Sequence, residues 1–150
     1  MGDIMLIVIF GESCTGKSTL AQAIASEIPS QIITGKDYLR LAKNEAIAMK
    51  LFEQNLLEAV SGNNMIYVVA EKELLKLIPQ GAARILVTAD IETIKSRFAV
   101  RLGGNLPKPV ADMLERKHGC FDSEPYDYHI TDNENSLDSL INQLRGELRQ

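Results

Sequence analysis

Apolar residues follow two rhythms along this chain. Residues 4–10, 65–70 and 83–88 are near-continuous runs rich in Ile, Val and Leu, the pattern of strands buried on both faces. Shorter runs at 31–34 and 126–131 complete a set of five. Between them the apolar positions space out to every third or fourth residue, as on one face of a helix. Leu20, Ala21, Ile24, Ala25 and Ile28 mark the first such segment. Tyr38, Leu41, Met49, Phe52, Leu56 and Val60 mark the second, which starts at Asp37 and is expected to bend near Lys43 and Asn44. Residues 71–78 read as a short helix closed by Pro79. Asp90 is a natural N-cap for a helix whose inner face is Ile94, Phe98 and Leu102, and a further helix is expected over 110–117. Leu137, Leu140, Ile141, Leu144 and Leu148 line a closing helix. This alternation predicts a three-layer α/β/α fold with a five-stranded parallel sheet. Crossovers in such a sheet are right-handed, and ligands lie at the carboxyl ends of its strands where the winding reverses.

The turn after the first run carries the chemistry. Gly11-Glu12-Ser13-Cys14-Thr15-Gly16-Lys17-Ser18-Thr19 fits G-x-x-x-x-G-K-[ST] between a strand and a helix, a phosphate-binding loop. Glycine lets the backbone adopt positive φ and bring its N–H groups close to phosphate oxygens. Lys17 is positioned to reach the outer phosphates and Ser18 to offer a hydroxyl to Mg²⁺, while the helix that begins there directs its positive end at the same anion. The motif predicts nucleotide binding by residues 11–19, with ATP and Mg²⁺ as cofactors. Cys14 lies at a variable position of the loop, so the reading gives it no chemistry beyond being small.

Composition narrows the class. At 150 residues with 45% hydrophobic and 24% charged content and a mean hydropathy of -0.04, the chain is long enough for one well-buried domain, 1–150. A net charge of -4 argues against nonspecific attraction to nucleic acid or anionic membrane. Two cysteines, Cys14 and Cys120, are too few for a disulfide framework and fit a reducing, cytoplasmic setting. The first apolar run is too short for a membrane span and has no basic segment before it. Leu6 stands where a myristoylation signal needs Ser or Thr. Either a monomer or a homodimer is compatible with this composition.

Charge is unevenly placed within that acidic whole. Lys95, Arg97, Arg101, Lys108, Arg116 and Lys117 hold six of the sixteen basic residues, more than twice a uniform share of that span. Arg97 and Arg101 are four apart and so share a helix face. After them, Gly103-Gly104-Asn105-Leu106-Pro107-Lys108-Pro109 is the most loop-like stretch of the chain. His118 and His129 show no metal-ligand spacing.

Taken together, the loop, the alternation of strands and helices and this basic segment resemble the nucleoside monophosphate kinases, such as adenylate and cytidylate kinases, most strongly at the loop. The resemblance implies ATP-dependent phosphoryl transfer to a small acceptor, with catalysis by alignment and charge neutralisation. It implies that Lys17, Arg97 and Arg101 are catalytic, and that residues 102–118 form a short lid hinged at Gly103-Gly104, with Arg116 a further candidate. Thr34-Gly35-Lys36-Asp37-Tyr38-Leu39-Arg40 looks like the T-G-D-x-L-R segment that holds the acceptor, making Asp37 and Arg40 acceptor-binding residues. Lys36 is an insertion in that pattern. The family carries Asp-Gly at the end of the third strand; this chain has Glu71-Lys72 there. Ser18 and Glu71 are therefore the expected metal residues, with Asp37 an alternative carboxylate, as in the related shikimate kinases. The two departures keep open a kinase of another small hydroxylated metabolite, shikimate- or gluconate-like. They also keep open an ATP-binding protein that has lost transfer.

Overall fold

Strand β1 (Leu6–Phe10) lies at the middle of a five-stranded parallel sheet in a computed structural model that describes residues 6–61, 64–131 and 140–144. Its partners are β3 (Met65–Val69) on one side and β4 (Ala83–Thr88) on the other. Strands β2 (Gln31–Thr34) and β5 (Tyr128–Thr131) form the edges, giving the order β2-β3-β1-β4-β5. The chain first winds outward from β1 to β2, returns through β3, and then crosses β1 to build β4 and β5. The winding therefore reverses at β1, and the crevice lies at its carboxyl end. All five residues of β1 and of β3 are buried, as their unbroken apolar runs require.

Alternate residues feed two cores, because successive strand side chains point to opposite faces. Leu6, Val8 and Phe10 join Tyr67, Val69 and Leu86 on one face, under α2 (Glu45–Ser61) and Phe121. Ile7 and Ile9 join Ile66, Val68, Ile85 and Val87 on the other, under α1 (Lys17–Glu27) and the helical residues Leu140, Ile141 and Leu144. Ile4, Leu137 and Leu148, expected in these elements, lie outside the described residues.

Helix α3 (Ile91–Arg101) starts as its sequence requires, with Asp90 Oδ1 accepting the Thr93 N–H at 2.8 Å. It packs on α4 (Lys108–Lys117) through Ile94, Phe98 and Leu114. Leu102 departs from the expected inner face and is 48% exposed: it is the C-cap of α3, beyond the part of the helix that meets α4. The expected bend in the second helical stretch is a full break. A 3₁₀ turn at Asp37–Leu41 ends at extended Ala42, and α2 begins at Glu45 with Asn44 Oδ1 accepting the Ala46 and Ile47 N–H groups. Asn44 is thus a cap, and a cap ends one element to start another. Among the described residues no helix is long and apolar enough to cross a membrane.

Candidate active site

Gly11 leaves β1 with its N–H on Val69 O at 3.3 Å. Its φ is +154°, and a Cβ there would lie 2.2 Å from Val87 O, so only glycine lets the loop pass that close to β4. Gly16, at φ +98°, is the N-cap of α1; no side chain caps this helix and no acid occupies its first turn. The amides at this end are left for an outside anion. Cys14 is the one non-glycine residue at positive φ among the described residues, at 63°, a conformation costing about 1–2 kcal/mol. Packing against Ile94 and Leu114 holds it there, and its carbonyl accepts from Arg97 Nη1 at 3.0 Å.

Lys17 is 7% exposed. Its Nζ donates to Glu12 O at 2.5 Å and lies 3.5 Å from Thr15 Oγ1, which itself donates to Glu12 O at 2.9 Å. Burial depresses the ammonium from its ordinary 10.5 to about 8; Arg101 adds to that effect, and Cys14, Glu12 and Glu71 oppose it. A cation buried at this cost is one that an anion would relieve.

A cavity of about 640 Å³ opens beside the loop. Cys14, Thr15 and Gly16 form one wall, Thr19, Leu20 and Ala23 of α1 another, and Val87, Ile130 and Thr131 the sheet side. Arg97 and Arg101 enter from α3, with Val100 between them. The other basic residues of this segment sort differently. Lys95 pairs with Glu115, and Lys108 with Asp112 at 3.1 Å, while Arg116 and Lys117 are exposed. The structure thus brings Arg97 and Arg101 to the cavity that Gly16 lines, while Lys17, the next residue, is buried among the loop's own oxygens; the remaining charge is directed elsewhere. Val87, Ile130 and Thr131 carried no motif that sequence reading could have used.

Asp37 and Arg40 lie on the opposite side of the loop, on the 3₁₀ turn after β2, and both are exposed. Asp37 Oδ2 accepts the Thr34 N–H at 3.4 Å. The turn is fixed from beneath by Tyr38, which stacks on Phe52 at 5.0 Å, itself edge-on to Tyr67 at 4.9 Å. Tyr67 Oη donates to Gly35 O at 2.7 Å. Glu71, two residues past β3, has a buried Oε2 with no hydrogen-bond partner, 3.4 Å from where a Gly35 Cβ would stand. An orphaned carboxylate oxygen costs free energy unless something meets it.

These groups fit a triphosphate and its magnesium. The loop offers uncapped amides and a buried lysine, and the exposed Ser18 hydroxyl and Glu71 offer oxygen to a cation. Among the described residues no three His, Cys, Asp or Glu side chains converge on a metal position; Mg²⁺ held mainly by phosphates and water needs one or two protein oxygens. The side chain of Glu12 reaches the end of α4. Its Oε2 accepts the Gly119 N–H at 3.0 Å and its Oε1 lies 3.0 Å from His118 Nδ1. Those partners are 106 and 107 residues away, so no local pattern announces the contact.

The fold is that of the P-loop small-molecule kinases. The chain is similar to a shikimate kinase from Acinetobacter baumannii in complex with shikimate, with a TM-score of 0.64 at 13% identity over 95% of this chain and 91% of that one. It is similar to a sugar kinase from Janibacter sp. HTCC2649, with a TM-score of 0.62 at 15% identity over 97% and 95%. A gluconokinase from Sinorhizobium meliloti 1021 gives a TM-score of 0.58 at 16% identity over 97% and 91%. No protein-family model and no curated protein matches the sequence.

Proposed function

We propose that the chain is an ATP- and Mg²⁺-dependent kinase that phosphorylates a small hydroxylated metabolite. One observation carries this: the loop residues before an uncapped helix N-terminus and two arginines from α3 line the same cavity, and the residue that follows Gly16 in the loop is a buried lysine whose partners both belong to the loop. ATP supplies the γ-phosphoryl group, with Mg²⁺ offsetting its charge. The amides of residues 11–19 hold the donor phosphates, and Lys17 exchanges the Glu12 carbonyl for phosphate oxygens. Ser18 and Glu71 are the residues that would hold the metal. Arg97 and Arg101 neutralise charge on the group in transit, which is the main service a protein gives phosphoryl transfer.

Asp37 and Arg40 are assigned to the acceptor, Arg40 as the cation for its anionic group. The kinases of similar fold favour a hydroxylated acid or sugar over the nucleoside monophosphate that the Thr34–Arg40 resemblance suggests. Two unpaired cysteines, Cys14 and Cys120, support a cytoplasmic setting. The test is ADP release from MgATP across hydroxylated carboxylates, sugars and nucleoside monophosphates, with Lys17→Ala as the blank. Release with a hydroxylated acid or sugar supports the reading. Release with nucleoside monophosphates alone restores the acceptor implied by the sequence resemblance, and ATP binding with no transfer to any acceptor selects the binding-protein alternative.

A further inference from the structure

We infer that Glu12 is a positioning residue, which ties the phosphate loop to the far end of α4 and so fixes the arginine-bearing pair α3–α4 against the loop. Its kinetic consequence rests on the kinase reading above; the tie rests on geometry alone.

A carboxylate at the second position of a phosphate loop has the wrong sign for a triphosphate site. The structure directs it elsewhere. The Glu12 side chain is 11% exposed, and its two oxygens meet the Gly119 N–H and His118 Nδ1, each at 3.0 Å. Its own carbonyl meanwhile accepts from Lys17 and Thr15. One residue therefore touches the phosphate lysine through its main chain and the end of α4 through its side chain. Gly119 is built to present that N–H: it sits at φ +82°, and a Cβ there would come 3.1 Å from Asp122 Oδ2.

The opposite end of α4 is reached through a turn closed onto α3, with the Gly104 N–H on Ala99 O at 2.7 Å. Residues 102–107 join α3 to α4, and Gly103 and Gly104 stand at φ +94° and +104° with nothing within 4 Å of an added Cβ. α4 is tied to α3 by the Lys95–Glu115 pair and by the packing of Leu106 and Val110, so the two helices meet the loop as a pair. Two further contacts hold this pair to the loop: Cys14 packs with Ile94 of α3 and Leu114 of α4, and Arg97 Nη1 of α3 reaches Cys14 O at 3.0 Å. The Glu12 carboxylate closes this set of contacts, and movement of the loop backbone at Glu12 is passed to α4.

Amide hydrogen exchange on the full chain, together with ATP affinity by calorimetry and turnover, tests this on Glu12→Ala and Glu12→Gln. In the wild type, MgATP slows exchange in the loop and in 108–122 together. Glu12→Ala keeps loop protection, but 108–122 exchanges about tenfold faster and no longer responds to nucleotide. In that variant kcat falls about tenfold or more while the ATP Kd changes less than about threefold, because the loop amides and Lys17 are intact. Glu12→Gln keeps an oxygen for the Gly119 N–H and restores both exchange and most of the turnover. Unchanged exchange at 108–122 in Glu12→Ala overturns the inference. So does a parallel loss of ATP affinity and kcat, which would place the role of Glu12 in the loop itself. Should the wild type transfer phosphate to no acceptor, the kinase reading falls, and the exchange experiment still decides the tie.

Discussion

Helices α1 and α3 both follow a strand of the same sheet, yet their first turns are built in opposite ways. Asp90 caps α3, its carboxylate on the Thr93 N–H, and Glu92 adds an acid to the first turn. α1 has Gly16 where a cap would be, no acid, and a buried lysine as its first residue. The N-terminus of α3 is satisfied from within the chain. That of α1 is left open, and an uncapped helix end beside a buried cation is stable only at a cost that an external anion removes. The difference separates a helix end closed by the chain itself from one that no side chain closes.

The largest effect should come from the open end. Lys17→Ala removes the buried cation and is expected to lower kcat by about a thousandfold or more while leaving the far-ultraviolet circular dichroism unchanged. Retained turnover in that variant would break the contrast between the two helices. Next come the arginines at the other end of α3. Arg97→Ala and Arg101→Ala are each expected to cost about a hundredfold in kcat. Lys95→Ala, on the same helix but paired with Glu115, should change kcat less than threefold by the same reasoning about charge at the site. Equal losses at all three positions would mean a diffuse basic surface rather than two placed guanidiniums.

How far the sequence alone carries this contrast differs between the two sides of the loop. The five strands, the parallel sheet and the α3 cap are legible because each rests on local pattern: unbroken apolar runs for β1 and β3, and an Asp three residues before a Thr amide. The turn at residues 11–19 is legible for the same reason, since a phosphate-loop pattern needs residue types at fixed short spacing. The side that carries Asp37 and Arg40 is not. Asp37 and Arg40 stand on a 3₁₀ turn whose orientation is set by Tyr38 against Phe52 and Tyr67, an aromatic stack assembled from three separate elements. The break at residues 42–44 reads in the sequence only as a bend, because apolar spacing continues across it while Asn44 caps a new helix. Glu12 with Gly119, and the arginines with Ile130 and Thr131, are joined by topology and leave no trace in spacing.

A third measurement sharpens the contrast through pH. Lys17 has a folded value of about 8 against its ordinary 10.5, so below pH 8 it is charged in both states and the nucleotide-free protein bears the full cost of burying it. Between pH 8 and 10.5 the folded state has released the proton and the unfolded state has not. Stability therefore rises with pH over that window. Relative to Lys17→Met, wild type is expected to be the less stable at pH 7 by an amount on the order of 1–3 kcal/mol, with the gap closing by pH 10. Saturating MgATP should remove the pH dependence below pH 9, since a phosphate partner favours the ammonium. A gap that does not change with pH would mean that the lysine is not strained by its burial.

The smallest effect belongs to the satisfied helix. Hydrogen bonds from Thr93 hold the Asp90 carboxyl below its ordinary value, foremost that from the backbone N–H. Its stabilisation is therefore present above the unfolded carboxylate's value and is lost as pH falls through the lowered one. Asp90→Ala is expected to lower Tm by a few degrees at pH 7, Asp90→Asn by less because an amide oxygen still accepts, and the difference from wild type should shrink in strong acid. Turnover should hardly change in either variant. That last expectation is what makes the pair of helices informative: α1 and α3 lie at the same end of one sheet, so a general weakening of that end would lower activity through either. Loss of activity in Asp90→Ala comparable to that in Arg97→Ala would show that the α3 cap is part of the site, acting on the arginines by way of the helix that carries them.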